Sequence, residues 1–259
     1  MVVADLHTHT TNSDGQFTLE TLVAAAREYD VRVVAVTDHD RTHPDLNTPV
    51  THVDGVTVVH GIELRVDAGD QEVDLLGYAV TDTASLGAET DRIQADRIER
   101  ARKTVALVEA ETGVDLDVAF EPGVGRPHVA RAVAESDAPY DYEGAFDHLI
   151  GDDGPCYVAR AVPSFERGVD LLSEACGLVG LAHPLRYGDP EAALALCDRL
   201  DAVEYHYDYG REVDLRPVER AIEEYGLTVT GGSDAHDEVL GRAGLDRDEY
   251  RAFRNAVSL

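Results

Sequence analysis

The chain has 259 residues, 44% of them hydrophobic and 28% charged, enough for the core of one α/β barrel with or without an inserted subdomain. Its formal charge is −29 and Lys103 is the only lysine. The acids run along the whole chain, which excludes an extended nucleic-acid surface and points to a salt-rich cytoplasm, where molar salt shortens the screening length to about 3 Å.

The elements follow from the spacing of apolar residues. Val2–Leu6 opens the chain as a short apolar run, followed by a helical stretch over Leu19–Tyr29 and further runs at Val31–Val36, Val56–Val59 and Val73–Leu76. The rhythm then breaks between Thr83 and Tyr157. Leu86–Glu111 reads as one long helix with Ile93, Ile98, Ala101, Val105 and Val108 on one stripe, and Gly113 stands just past its end as a stop signal. Shorter helices are predicted over His128–Ala134 and Tyr142–Leu149. Strands resume at Leu178–Ala182, Val203–Tyr207 and Leu227–Thr230, with a helix over Glu191–Leu200 between the first two. Continuously apolar strands separated by helices predict a parallel sheet, closed or nearly so. The expected organisation is therefore a barrel from residues 1–83 and 158–259, carrying a mainly helical insertion over 84–157. Such an insertion forms either a substrate wall above the strand ends or a buttress under the barrel. Cys156, Cys176 and Cys197 form no C-x-x-C pair, so neither a disulfide framework nor a thiolate zinc site is signalled. With no basic leader and no run of 18 apolar residues, a cytoplasmic protein is expected.

Ligand-type residues recur at the ends of these strands: His7 and His9 after the first, His39 after the second, Glu63 after the third, His183, and then Asp234 and His236 after the last. Asp74 lies within the fourth. Strand ends of a parallel barrel converge on one face, so these side chains are expected to meet. His7 and His9 stand two apart on an extended strand and point the same way. The Ser13-Asp14-Gly15 turn brings a carboxylate back over the same rim. One ion cannot use so many ligands, so several cations are expected, with Glu63 as a bridging carboxylate.

Four motifs in order, Asp5-Leu6-His7-Thr8-His9 with Ser13-Asp14-Gly15, Thr37-Asp38-His39-Asp40, Ala182-His183-Pro184 and Gly232-Ser233-Asp234-Ala235-His236, closely resemble those of the polymerase and histidinol phosphatase (PHP) family of metal-dependent phosphoesterases. Gly61-Ile62-Glu63 and Gly125-Arg126-Pro127-His128 extend the resemblance over residues 1 to 240. Leu75-Leu76-Gly77-Tyr78 and Gly154-Pro155-Cys156-Tyr157-Val158 are similar to a branch containing nucleoside 3′,5′-bisphosphate phosphatases and 5′-to-3′ exoribonucleases. The resemblance implies a distorted seven-stranded, (β/α)7-type α/β barrel and two to three divalent cations, manganese first, with magnesium, zinc or iron as alternatives. It implies a first metal on His7, His9, Glu63 and Asp234, a second on Glu63 and His128, and a third on Asp14, His39 and His236. Asp74 stands where many relatives carry a histidine that binds the second metal, and its oxygen favours manganese or magnesium over softer ions.

Arg126 and His128 are expected to return from the insertion to the site, Arg126 to meet phosphate oxygens. His183 is either the acid that protonates the leaving group or a further ligand or orienter. Asp5, Asp38 and Asp40 either orient the adjacent imidazoles or hold turns. His206 is a candidate for the leaving-group pocket, while His43, His52, His60 and His148 read as structural. The expected activity is hydrolysis of a phosphate monoester or terminal phosphodiester of a nucleotide or short RNA, with no membrane partner. A small-metabolite phosphatase, as for histidinol phosphate, and a non-catalytic metal-binding domain are the competing readings.

Overall fold

The computed structural model describes residues 1–257. The chain divides into two compact units, residues 1–89 with 162–259, and residues 90–161.

In the first unit, β1 (Ala4–Thr8), α1 (Leu19–Glu28), β2 (Val33–Val36), β3 (Val50–Val53), β4 (Val56–Asp67) and β5 (Glu72–Tyr78) precede the 29-residue helix α2 (Ala84–Thr112). In the second unit, α3 (Arg126–Glu135) and the short α4 (Tyr142–Ala145), continued by a wide turn to Ile150, follow α2. Val105, Val108, Val129, Val133, Leu149 and Ile150 give that unit a small core of its own. The chain then completes the first unit with α5 (Phe165–Ala175), β6 (Leu178–Leu181), α6 (Pro190–Ala195), β7 (Ala202–Tyr207), α7 (Arg216–Tyr225), β8 (Thr228–Gly232) and α8 (Arg247–Ala256).

The strands run in the order β1-β2-β4-β5-β6-β7-β8, with β3 paired to the outside of β4. Beyond the strands proper, His9 N–H donates to Ala235 O at 3.0 Å and Thr8 bridges Ala235 in parallel, so the first and last strands meet and the sheet is a nearly closed α/β barrel. Thr18 caps α1 through its side chain, and Leu22, Val23 and Ala26 of that helix join Val34, Val36 and Val58 of the sheet in one core cluster. Tyr78 and Phe253 meet edge to face at 5.2 Å in another. Burial of such side chains contributes roughly 1.5–3 kcal/mol each relative to exposure.

The wholly parallel sheet expected from the sequence is not what forms. β5 runs antiparallel to both β4 and β6. The reason is loop length: only residues 68–71 separate β4 from β5, with Gly69 at φ +94°, which makes a hairpin, whereas a parallel return needs a dozen residues or more. The reversal sets Asp74 directly across from Arg65. A carboxylate early in a reversed strand thereby reaches the same rim as residues late in its neighbours.

Candidate metal centre

His7, buried on β1, and His9, just beyond it, are positioned by the closure of β1 on the end of β8. That closure is tight: a Cβ on Gly232 would lie 2.3 Å from the His7 amide nitrogen, so only glycine fits. The chain turns sharply next, and Asp234 and His183 both adopt positive φ, +50° and +27°. Non-glycine residues in this region carry backbone strain of order 1–3 kcal/mol, which the surrounding structure must hold in place.

Four side chains converge at the centre. His7 Nε2 lies 3.4 Å from both Glu63 Oε2 and Asp234 Oδ1, and His9 Nε2 lies 3.4 Å and 3.1 Å from the same two oxygens. All four atoms are buried, and none is aligned to make a hydrogen bond. Buried polar atoms are ordinarily paired. Ligands held about 2.1 Å from one ion in a tetrahedral shell stand roughly 3.4 Å apart, the spacing seen here. The donor set therefore fits a divalent cation.

A second group adjoins it. Asp14 lies 3.3 Å from His236 Nε2 and 3.8 Å from His39 Nε2, while His39 Nδ1 is 2.8 Å from Glu63 Oε2. The His9 ring stacks on His236 at 4.1 Å, and Asp14 Oδ1 is again a buried oxygen without a hydrogen bond. His9, Asp14, His39 and His236 are close enough to share an ion. Glu63, Asp74 and His183 form a third group, but its atoms are differently engaged. His183 Nε2 meets Glu63 Oε1 at 3.0 Å, and the Arg65 guanidinium takes both Asp74 oxygens, Nε to Oδ1 at 2.7 Å and a terminal nitrogen to Oδ2 at 2.5 Å.

The electrostatics favour the ionised acids. Burial opposes the charge on Glu63, yet the nearby His39 and His7, with His183 at 3.0 Å, hold its carboxyl well below the usual range. Asp14 and Asp234 follow the same logic, burial being outweighed by their histidine neighbours. Burial and the neighbouring His236 and His39 push His9 down to about 4, so its ring is neutral at neutral pH. The surrounding carboxylates outweigh burial at His7, His39 and His236 and raise them, His236 to about 9, so these rings favour the protonated form. Ionised carboxylates and neutral imidazoles are the forms that bind metal, so a cation would displace those protons.

The residues around the cluster differ in part from expectation. Glu204, buried on β7, accepts from His183 N–H at 2.8 Å through one oxygen and meets His7 Nδ1 at 3.0 Å with the other. Since a carboxylate only accepts, it fixes the His7 proton on Nδ1 and frees Nε2. Sequence reasoning did not single it out; the available signal was an acid directly after Ala202-Val203 in an apolar strand. Asp5 and Asp38 do not orient imidazoles. Asp5 accepts from Ser233 N–H and Oγ–H and from Gly241 N–H, and Asp38 accepts from Thr10, Ser13 and Asn12. Both tie down the loops that carry the converging side chains. Asp40 accepts from the Arg65 N–H. His206, a candidate for the leaving-group pocket, instead pairs with Glu249 of α8 at 2.7 Å and belongs to none of the ligand groups among the described residues. Arg186 is a further addition to the rim: it donates to Asp234 Oδ2 at 3.2 Å and to the Tyr207 hydroxyl at 2.9 Å, and Tyr207 itself donates to Asp234.

Arg126 and His128 belong to the second unit. There His128 Nδ1 accepts from Gly125 N–H at 3.2 Å, and Arg126 donates to Asp152 at 2.6 Å. Arg97, Arg100 and Arg126 line a small recess, and burial with the adjacent Arg160, Arg126 and Arg97 lowers the Arg100 guanidinium to about 10.

A barrel with buried clusters of His, Asp and Glu at its strand ends is the framework of a metal-dependent hydrolase. The PHP domain profile matches residues 5–225, and the chain belongs to the PHP family. It is a metal-dependent phosphoesterase. A 3′,5′-nucleoside bisphosphate phosphatase of Chromobacterium violaceum is 27% identical over 265 residues, spanning 95% of this chain and 90% of that protein. The 5′-3′ exoribonuclease Rnm of Escherichia coli is 30% identical over 200 residues, 72% of this chain and 67% of its own length. A solved structure from Bifidobacterium adolescentis, itself assigned provisionally as a metal-dependent phosphoesterase, superposes with a TM-score of 0.81 at 22% identity, covering 98% of this chain and 96% of the other. No helix among the described residues is long and apolar enough to cross a membrane.

Proposed function

We propose that this enzyme hydrolyses a phosphate ester of a nucleotide, in first place the 3′-phosphate of a nucleoside 3′,5′-bisphosphate, and with it the terminal phosphate or phosphodiester of a short RNA. One observation carries the phosphoesterase chemistry: four buried donor atoms, on His7, His9, Glu63 and Asp234, converge without hydrogen bonds among themselves. The preference for a nucleotide is supported by similarity over 95% of the chain to a protein named for that substrate. His7, His9, Glu63 and Asp234 would hold one cation, and Asp14, His39 and His236 with His9 alongside would hold another. Manganese is the first choice because the set mixes imidazole with hard carboxylate oxygen.

When bound, such ions ionise water near neutral pH and neutralise phosphate oxygens. The chain's own residues do the rest. Glu204 holds His7 in the tautomer that presents Nε2. His183 keeps a proton on Nε2, facing Glu63 Oε1, and is the group from which the leaving oxygen takes a proton. Arg186 lies at the mouth beside Asp234, its side chain 55% exposed, and offers its remaining donors to the substrate phosphate. The roles of Arg126 and His128 rest on the family resemblance. The test is a phosphate-release screen in high salt with manganese, comparing nucleoside bisphosphates, mononucleotides, short RNA and histidinol phosphate. A clear kcat/KM preference for the bisphosphates is expected; equal or better turnover of histidinol phosphate would assign the enzyme to small metabolites. Replacing the insertion, residues 86–149, by a short Gly/Ser linker that preserves Arg126 and His128 should depress bisphosphate turnover more than that of a small generic ester.

A further inference from the structure

We propose that Arg65 occupies the place of a divalent cation beside Asp74, so that the centre holds two ions and a fixed guanidinium that binds the substrate phosphate. This rests on the phosphoesterase reading and adds to it the ion count and a phosphate-binding residue.

The three ligand groups are not alike. In the groups around His9, the atoms that converge include buried donors without hydrogen bonds: His7 Nε2, His9 Nε2, Glu63 Oε2, Asp234 Oδ1 and Asp14 Oδ1. In the group of Glu63, Asp74 and His183, the converging atoms are engaged. Glu63 Oε1 lies 3.0 Å from His183 Nε2, within hydrogen-bond reach. Both oxygens of Asp74 are held by Arg65 in a fork-to-fork pair at 2.7 and 2.5 Å. Asp74 is 1% exposed, so the pair is little screened by water.

The fold builds this pair in. The β4–β5 hairpin sets Arg65 and Asp74 directly opposite each other, and Glu63 lies two residues before Arg65 on the same face of β4. Asp40 accepts from the Arg65 N–H, and the Asp74 N–H donates to the Tyr187 hydroxyl at 2.8 Å, which anchors both backbones. A cation on Asp74 Oδ2 would share that oxygen with a guanidinium nitrogen 2.5 Å away and meet its charge in a buried place. The guanidinium needs no such compromise. It commits two of its five N–H donors to Asp74; its other terminal nitrogen stands 3.8 Å from Glu72, and the side chain is 28% exposed. Donors remain to meet a phosphate oxygen in the planar geometry guanidinium favours.

The test begins with manganese per chain, by elemental analysis of full-length protein loaded with excess metal and then desalted. Two ions are expected, and three overturn the proposal. None at all refutes the metal-dependent reading itself, which separates the two failures. Arg65→Ala, which frees Asp74, should raise the count to three; a count that stays at two in the folded variant also overturns the proposal. Arg65→Gln/Asp74→Asn removes both charges together and should keep two ions. Its affinity for inorganic phosphate, measured calorimetrically on the loaded protein, should fall about 10-fold or more, as for loss of one hydrogen bond from a charged donor. Unchanged phosphate affinity would remove Arg65 from the substrate site. Should Arg65→Ala fail to fold, the wild-type count alone still decides.

Discussion

Replacing Glu204 by Gln isolates what one buried carboxylate does for the centre. The side chain keeps its shape but exchanges one accepting oxygen for a donating NH2. At present one oxygen faces His7 Nδ1 at 3.0 Å and the other accepts from His183 N–H at 2.8 Å. In Glu204→Gln one of those two donors must face an amide NH2. Either His183 N–H loses its acceptor or His7 is driven to the tautomer that puts its proton on Nε2, against Glu63 and Asp234. A hydrogen bond to a charged group contributes about 1.5–3 kcal/mol, and outer partners of ligating histidines typically alter metal affinity 10–100-fold. Manganese affinity should therefore fall by about 10- to 100-fold, that is about 1.4–2.7 kcal/mol, read by competition with a fluorescent chelator. Turnover at saturating manganese should recover in part, since the ligands themselves remain. Affinity within about 2-fold of wild type, in a protein of unchanged far-ultraviolet circular dichroism, would refute the orienting role.

Other consequences are open to direct measurement. His9→Ala and Asp234→Asn should each lower phosphate release by ~100-fold or more, since cation stabilisation worth several kcal/mol is removed; activity within a few-fold of wild type would sink the ligand assignment. Stripping the ions with a chelator should lower the melting temperature by about 5–10 °C, because a ligand at about 100 times its Kd contributes about 2.7 kcal/mol, and manganese should restore it; identical melting curves would show that no ion is bound. His60 is 2% exposed and burial pushes it down to about 4 from 6.5, so it folds as a neutral ring. Its contribution is complete above pH 6.5 and is lost as pH falls toward 4, by up to about 3 kcal/mol. His60→Gln should flatten that part of the stability profile, and parallel wild-type and variant profiles between pH 6.5 and 4 would contradict it.

What the sequence reveals here follows from how local each feature is. His7 and His9 share a direction because they are two apart on a strand, and Asp234-Ala235-His236 falls where β8 ends, so the convergence of these side chains was legible in the sequence. The β4–β5 hairpin was legible in principle, from four residues containing Gly69, but an apolar run alone does not report strand direction. Its consequence, Arg65 across from Asp74, depends on register. Glu204 was hidden for a related reason: its partners His7 and His183 lie 197 and 21 residues away, and a single acid in an apolar strand does not name the group it serves. Asp5 and Asp38 were read by proximity to histidines in sequence, whereas their oxygens satisfy backbone and hydroxyl donors of the neighbouring loops. A buried carboxylate accepts from whatever donors the turn presents, and turns present mainly N–H groups.

The most direct test is phosphate release from a nucleoside 3′,5′-bisphosphate by one preparation, first stripped of metal and then given manganese, in high salt. Release that is absent after stripping and returns with manganese, with the nucleoside 5′-monophosphate as product, is the expected result. Release that survives stripping, or a manganese-loaded, folded protein that leaves the bisphosphate intact, would contradict it.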